Sequence, residues 1–361
     1  MTLVVFAGGG TAGHLYPAIA IADALRERGA NVAFVGTADR LEATIVPKAG
    51  YPLYTISSRA LPRRLSLGLA QTFAANVRGT FQSLKYLAAQ RPDLLIATGG
   101  YVSFPVALAA RIRRVVRRSR APIVLLEPNA IPGLTNRLLA PIVDEIWGAD
   151  VGVPIRGSLR SLPGRGDAIA RLGLDPSLHT LVGMGGSQGA RAINDALVSL
   201  TLAGATPQGW QLLHLTGRDD FERVTAALNG RPAGTPHVAR AYLDDMADAY
   251  AVADLLVARA GASTLGELRA LGKPAILVPY PFAAEDHQAS NAAALESAGA
   301  AVVLADRDLK AGGLPALLAA TVEPERLSEL TLNAGRLKGS DPLLAILARI
   351  DTLLARTAYR Q

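Results

Sequence analysis

The sequence contains no cysteine. Disulfides, thiolate-held zinc, iron–sulfur clusters and a thiol nucleophile are therefore excluded. Histidine is scarce too, with five residues in 361 and no HxxxH pair, which leaves little from which to build a metal site. No uninterrupted apolar run reaches the roughly 18 residues that a membrane span requires. The opening MTLVVFAGGG has no basic residue before its short apolar run and turns at once to glycine. It reads as a first strand and not as a signal peptide. Aromatic residues are only 5% and form no stacking series, which weighs against single-stranded nucleic acid as a partner. Charged residues are 19% against 50% hydrophobic, so a disordered chain is excluded as well.

What is present suits two α/β domains, given 361 residues. Residues 1–155 hold 17 Lys and Arg against 9 Asp and Glu, whereas residues 156–361 hold 20 against 21. An anionic surface should therefore dock on the first half. Short apolar runs at 3–7, 31–35, 53–56, 94–97 and 123–126 alternate with helical patterns at 17–28, 41–49, 68–90, 102–118 and 133–140. That rhythm predicts a parallel sheet covered on both faces. Periodicity is lost over 148–165, where Gly and Pro recur, and a linker is expected there. Strands then resume at 180–184, 211–215, 254–257, 275–278 and 301–304, with helices at 190–201, 219–228, 263–271 and 287–298. The expected division is 1–155 and 156–340, with an amphipathic helix over 341–361 packing back on the first domain.

Glycine-rich turns carry the chemistry. Gly8, Gly10 and Gly13 satisfy G-x-G-x-x-G, where the chain turns tightly and helix N–H groups favour a phosphate. That fingerprint also calls for an acid ending the second strand. Here the strand ends Val35-Gly36-Thr37-Ala38 with Asp39 late, so a nicotinamide dinucleotide is weakly supported. A second turn runs from Gly183 to Ala190 with Ser187 and Gln188 inside it, where a phosphate oxygen can meet the Ser187 hydroxyl. Two such loops, one opening each domain, suggest a ligand held between domains. A third segment, Arg259 to Glu267, again places small residues at a helix start. Glu267 fits two roles equally: accepting from a ribose diol or closing a capping box. Asp286 looks like an N-cap, and Gln288 can hydrogen-bond a polar ligand such as a sugar. The one D-x-D triplet, Asp306-Arg307-Asp308, is expected to be a helix start away from every glycine loop.

Apolar and basic residues cluster in the first half. Arg63 and Arg64 stand beside Leu65, Leu67 and Leu69, while Phe73, Val77 and Phe81 continue at helical spacing. At least part of that stripe is expected in the core. Six arginines fall within 111–120, Arg113 and Arg117 among them; they suit an anionic lipid surface or a solvated face.

GGGTAGHLYPA, GGYVSFP, NAIPGLTNR, GGSQGA, YLDDM, RAGASTLGE and DHQ follow one another along nearly the whole chain. This set resembles the MurG family of peptidoglycan glycosyltransferases, in glycosyltransferase family 28. The resemblance implies an α/β protein of GT-B fold: two Rossmann-like doubly wound parallel-sheet domains with a deep interdomain cleft. It implies an inverting transfer of N-acetylglucosamine from UDP-GlcNAc to the C4 hydroxyl of the muramyl sugar of lipid I, forming lipid II. The acceptor and membrane-associating functions fall to the first domain and donor binding to the second. Carried over by motif, Thr11, Ala12 and Gly13 lie near the phosphates and sugar, and Asn129 contacts the donor sugar. Arg156, Ser187 and Gln188 address the nucleotide, and the backbone at Leu243 meets uracil. Ala262, Ser263, Thr264, Leu265, Gly266 and Glu267 frame the nucleoside, with Glu267 on the ribose and Gln288 on the GlcNAc hydroxyls. The family usually writes HEQN where this chain has Leu126-Glu127-Pro128-Asn129, and NP-x-R where it has Val153-Pro154-Ile155-Arg156.

His14 is the candidate general base, since its ordinary pKa of about 6.5 suits proton abstraction at neutral pH. A role confined to hydrogen-bonding phosphate or backbone is the alternative, and Glu127 is the second candidate base. Tyr101 is expected at the acceptor mouth. No metal and no cofactor are expected, because helix N-termini, Ser187 and Arg156 can meet the leaving diphosphate. The expected location is peripheral, on the cytoplasmic face of the plasma (inner) membrane. Expected partners are lipid I, an anionic membrane surface and cell-wall synthesis and division proteins, with no nucleic acid. Another GT-B UDP-sugar enzyme (a glycolipid synthase or an epimerase) is the first alternative, and a nicotinamide-dependent oxidoreductase the second.

Overall fold

The computed structural model describes residues 1–60, 68–129, 131–148, 152–186, 188–232, 234–283, 286–339 and 341–358, except the Ala12 side chain. In chain order the first half contains β1 (Leu3–Gly8), α1 (Ala12–Glu27), β2 (Asn31–Gly36), α2 (Leu41–Lys48), β3 (Leu53–Thr55), α3 (Gly68–Gln90), β4 (Leu94–Gly99), α4 (Ser103–Val115), β5 (Ile123–Leu126), α5 (Leu134–Leu139) and β6 (Glu145–Trp147). The second half contains α6 (Arg165–Leu172), β7 (His179–Met184), α7 (Arg191–Leu202), β8 (Trp210–Leu215), α8 (Phe221–Leu228), β9 (His237–Arg240), α9 (Ala247–Val252), β10 (Leu255–Ala258) and α10 (Ala262–Leu271). It continues through β11 (Ala275–Leu277), α11 (His287–Ser297), β12 (Ala301–Val303), α12 (Asp306–Lys310), α13 (Leu314–Thr321) and α14 (Pro324–Arg336), and α15 (Pro342–Ala358) closes the described chain.

Among the described residues there are two six-stranded parallel sheets, ordered β3-β2-β1-β4-β5-β6 and β12-β11-β10-β7-β8-β9. Counted from its own first strand, the second repeats the order of the first. Each is the doubly wound arrangement, whose ligands sit beyond the carboxyl ends of the strands where the order reverses. The central strands are mostly apolar because both faces are covered. In β1, Val4 and Phe6 join one core cluster while Val5 and Ala7 join the other. Phe6 stacks on Phe34 of β2 with ring centroids 5.1 Å apart.

The chain divides into two compact units, residues 1–156 with 340–361, and residues 157–339. α15 supplies Leu343, Ile346, Leu347, Ile350 and Leu353 to the cluster around Val4 and Phe6. Their spacing of three and four gives one apolar face, and each such side chain contributes roughly 1.5–3 kcal/mol on burial.

Three details differ from the sequence reading. α1 begins at Ala12 and holds Pro17 in its interior. The buried stripe starts at Leu15, so the helix must form before the proline, which then offers no N–H to the Gly13 carbonyl. β6 and β9 went unrecognised: each lies at a sheet edge and is only 3 or 4 residues long. Helices α6, α9, α13 and α14 also lie outside the helical patterns read from the sequence.

Candidate functional site

The first glycine loop is built around a residue the sequence reading passed over. Glu42, in the first turn of α2, is fully buried. Its Oε2 accepts from Gly10 N at 2.9 Å, and its Oε1 accepts from Thr37 N at 3.0 Å and Thr37 Oγ1 at 2.6 Å. A Cβ on Gly9 would lie 2.4 Å from that carboxyl group, so a side chain there would displace it from its hydrogen bonds. Gly10 has φ +84° and needs glycine for its backbone conformation. An acid close behind the second strand thus exists, but it faces the loop backbone and not a ribose. Searching a few residues past the strand end would have found it.

Thr11 is the extended N-cap of α1, is exposed, and makes no side-chain capping bond. Gly13 and His14 follow in the first turn. The His14 ring packs on the turn after β4: a Cβ on Gly99 would lie 2.8 Å from His14 Cε1, and one on Gly100 would lie 3.6 Å from His14 Cδ2. Ser103 Oγ accepts from Gly99 N at 3.0 Å and lies 2.7 Å from Ala7 O, tying that turn to β1. The Tyr101 ring stands over Gly10, 3.2 Å from where a Cβ would be.

The segment after β5 completes the group. Glu127 is buried; its Oε1 accepts from Asn129 N at 2.9 Å and Asn129 Nδ2 at 3.0 Å, and its Oε2 from Asn136 Nδ2 at 2.7 Å. Asn136 Nδ2 would lie 3.2 Å from a Cβ on Gly99, so it abuts the turn that carries His14. The structure therefore brings Thr11, Gly13, His14, Tyr101, Glu127 and Asn129 together at the carboxyl ends of β1, β4 and β5. Asn136 is an addition that the sequence gave no cue for. Arg156 places its guanidinium 4.6 Å from the centroid of the Tyr16 ring on α1.

In the second unit the turn after β7 is held by backbone contact. Gly186 and Gly189 have φ of +86° and +78°. A Cβ on Gly189 would lie 2.1 Å from Thr216 O, and one on Gly217 would lie 2.6 Å from Gln188 O. Gln188 is exposed, whereas Ser187 lies outside the described residues. Behind the turn runs a buried polar chain. Asn194 Nδ2 donates to Thr216 O at 2.8 Å and Asp220 Oδ2 at 2.7 Å, Asn194 Oδ1 meets His214 Nε2 at 2.9 Å, and His214 Nδ1 meets His237 Nε2 at 3.2 Å. Burial drives His214 down to about 3, and His237 down to about 4. Both rings are therefore neutral at pH 7. Arg223 beside Asp220 holds that carboxyl at about 2.

The third segment opens α10 with Gly261 as N-cap and nothing within 4 Å of a Cβ placed there. Ala262, Ser263, Thr264, Leu265 and Gly266 form its first turns. Glu267 is buried and accepts from Tyr250 Oη at 2.6 Å. It stands too far inside the helix to close a capping box, so that alternative is corrected. Tyr250 is a neighbour the sequence did not reveal.

The D-x-D triplet does start a helix, α12, but it is not remote from the glycine segments. Arg259, which opens the third segment, pairs with Asp306 at 2.7 Å, and Lys310 pairs with the same carboxylate at 2.7 Å. Burial pushes the Asp306 carboxyl up, but hydrogen bonds from Lys310 and Arg259 outweigh it and the net shift is downward. Gln288 Oε1 accepts from Tyr280 N at 2.9 Å. Asp286 caps α11 by position only, with φ +55° and no side-chain capping bond. Leu243 is half-buried between β9 and α9.

Arg63, Arg64, Leu65 and Leu67 lie outside the described residues. The stripe beyond them is not core: Phe73 is 71% and Phe81 68% exposed, with Val77 exposed too. α3 instead buries Thr72, Gly79, Ser83 and Leu87. The reason is close approach, since a Cβ on Gly79 would lie 2.0 Å from Ser57 O. At the end of α4, Val115 and Val116 are exposed among the arginines. There Arg113 donates to Arg118 O at 3.2 Å, Arg114 pairs with Asp144, and Arg117 has φ +54°.

Known proteins match this arrangement along the whole chain. The profile of the glycosyltransferase family 28 N-terminal domain matches residues 4–147, and that of the family 28 C-terminal domain matches residues 180–338. The UDP-N-acetylglucosamine–N-acetylmuramyl-(pentapeptide) pyrophosphoryl-undecaprenol N-acetylglucosamine transferase of Chlorobium luteolum is 40% identical over 373 residues, covering 97% of this chain and 98% of its own. The protein of the same description from Halothermothrix orenii is 38% identical over 356 residues, covering 92% and 94%. The crystal structure of Acinetobacter baumannii MurG superposes with a TM-score of 0.77 at 26% identity, covering 98% of this chain and all of that one. A glycotransferase of kitacinnamycin shares the fold, with a TM-score of 0.66 at 15% identity and 98% of each chain covered. The chain belongs to glycosyltransferase family 28, in its MurG group, and carries the paired Rossmann-like domains of the GT-B fold.

Proposed function

We propose that this chain transfers N-acetylglucosamine from UDP-GlcNAc to the C4 hydroxyl of the muramyl sugar of lipid I, with inversion at the anomeric carbon, to give lipid II. The observation that carries the reading is the nearly full-length match to N-acetylglucosamine transferases of that description. The grouping of His14, Glu127 and Asn129 at the switch point of the first sheet supports it.

In this reading the acceptor oxygen attacks the anomeric carbon as the bond to the UDP oxygen breaks. The hydroxyl proton passes to His14, and UDP departs as an anion. His14 sits in the first turn of a 16-residue helix, where the positive end of the dipole disfavours imidazolium and keeps the ring able to accept a proton. Glu127 already accepts hydrogen bonds on both oxygens, so it orients Asn129 and Asn136 while His14 takes the proton. Thr11, Ala12 and Gly13 lie near the phosphates and the sugar, Tyr101 shapes the acceptor mouth, and Asn129 contacts the donor sugar. Ser187, Gln188, Arg156 and the N-terminus of α10 meet the diphosphate. Ala262 to Gly266 frame the nucleoside, Leu243 meets uracil, Glu267 holds the ribose and Gln288 reads the GlcNAc hydroxyls.

The first unit also serves as a peripheral anchor on the cytoplasmic face of the inner membrane. Exposed Phe73, Val77 and Phe81 on α3 and the arginines around Arg113 and Arg117 at the end of α4 support this, and no described helix is long and apolar enough to cross a bilayer. Binding to anionic vesicles that falls with salt is expected, and none at low salt would remove the anchor. The deciding experiment for the transfer incubates the chain with labelled UDP-GlcNAc and a lipid I analogue. A labelled disaccharide product is expected. Consumption of donor without acceptor would point to an epimerase or hydrolase instead.

A further inference from the structure

The first unit contains a cavity of about 630 Å³ at the carboxyl ends of β2 and β3, closed on one side by α3. Its size is that of a small-ligand site, and none of the roles above uses it. Its walls are tied to the candidate site on two sides. Thr37 on one wall is held by Glu42, which also holds Gly10. Ser58 on another lies 3.1 Å from the carbonyl of Tyr101.

The lining is basic and hydroxylated. Arg59 Nη1 donates to Gln71 Oε1 at 3.1 Å, and its backbone N donates to Asn76 Oδ1 at 3.1 Å, so this guanidinium is anchored at the rim. Arg78 lines the cavity from α3 and is exposed. Asp39, the one acid in the lining, is turned toward Arg40 at 3.9 Å. Two arginines lining one recess suit a carboxylate, which guanidinium groups can grip through paired N–H donors. The methyl groups of Ala74 and Ala75 give the same recess a small apolar floor.

We propose that this cavity seats the peptide of the acceptor, a short chain that ends in a free carboxylate, with Arg59 and Arg78 reading that carboxylate. The proposal rests on the transferase reading, because the acceptor named for the relatives carries a pentapeptide. It adds a specificity site beside the sugar-reacting group and explains why a glutamate links the glycine loop to the cavity wall.

The test compares two short-lipid acceptor analogues with the full chain: one with the whole peptide, one with the lactyl carboxyl capped as a simple amide. The peptide-bearing acceptor should show a KM about tenfold lower, and Arg78→Ala should make the two acceptors indistinguishable, with Arg78→Lys restoring part of the difference. Equal KM values in the unaltered protein, or an Arg78→Ala effect equal on both acceptors, would overturn the proposal. So would loss of anionic-vesicle binding in Arg78→Ala with the acceptor preference intact, which would assign the recess to a lipid headgroup. Turnover of neither acceptor would sink the transferase reading instead. The cavity is then decided by titrating free muramyl-pentapeptide and following saturation-transfer NMR. Binding lost in Arg78→Ala supports the site, and no binding to the unaltered protein refutes it.

Discussion

Two sheets of one strand order hold their glycine turns by different means. In the first unit a single buried carboxyl group, that of Glu42, gathers the backbone of Gly10 and the backbone and hydroxyl of Thr37. In the second, the turn rests on the backbone of Thr216 and Gly217, backed by the chain Asn194–His214–His237. Topology dictates where the turn falls and leaves its support open. A one-residue support fails at a stroke, whereas a distributed one degrades by steps.

The largest expected effect separates the chemistry of the two units. His14→Ala should lower kcat by about 10²–10⁴-fold, the usual range for a lost general base, with the KM for UDP-GlcNAc nearly constant. Glu267→Ala should do the reverse and raise that KM about tenfold with a smaller loss of kcat. Steady-state kinetics on both variants checks the division, and a donor-KM effect at His14 with normal kcat would abolish it.

The next effect concerns the supports themselves. Glu42→Ala strands the buried donors of Thr37 and the half-buried one of Gly10 and should cost about 3 kcal/mol of stability, read by denaturant unfolding. If Glu42→Ala unfolds no more easily than a surface variant, the single-residue support is wrong.

Acid sharpens the contrast from the other side. His214 and His237 titrate near 3 and 4 in the fold against about 6.5 in an unfolded chain. Their folded values are lowered, so the unfolded chain binds more protons below about pH 6.5, and stability falls as pH drops toward the folded values. From pH 7 to pH 5 the loss should be about 2 kcal/mol for each ring. His237→Gln should make the pH dependence of unfolding shallower, and an unchanged slope would remove this histidine from the account.

Sequence alone reached the central strands because burial on both faces writes an unmistakable apolar run, as in LVVFAG of β1. The glycine turns were equally plain, since few other residues tolerate their backbone angles. Edge strands β6 and β9 escaped because half of each is solvated and the runs are short. The supports of the site were illegible for another reason. Glu42 meets Gly10 across 32 positions, and His214 meets His237 across 23, distances over which a single sequence carries no pairing signal. The Phe73–Phe81 stripe misled in the opposite sense: its spacing is right for a core face, and only Gly79, pressed against Ser57, reveals which side of α3 turns inward.

The return of α15 to the first sheet has a consequence for biogenesis. Translation delivers residues 157–339 as one unbroken stretch, able to close its own interior as soon as it leaves the ribosome. The N-terminal lobe, made earliest, must wait for Leu343 to Leu353 before its hydrophobic interior is sealed. The part synthesised first is thus finished last, and a nascent chain halted before that helix would leave the apolar surface that α15 meets on α1 open to chaperones and proteases.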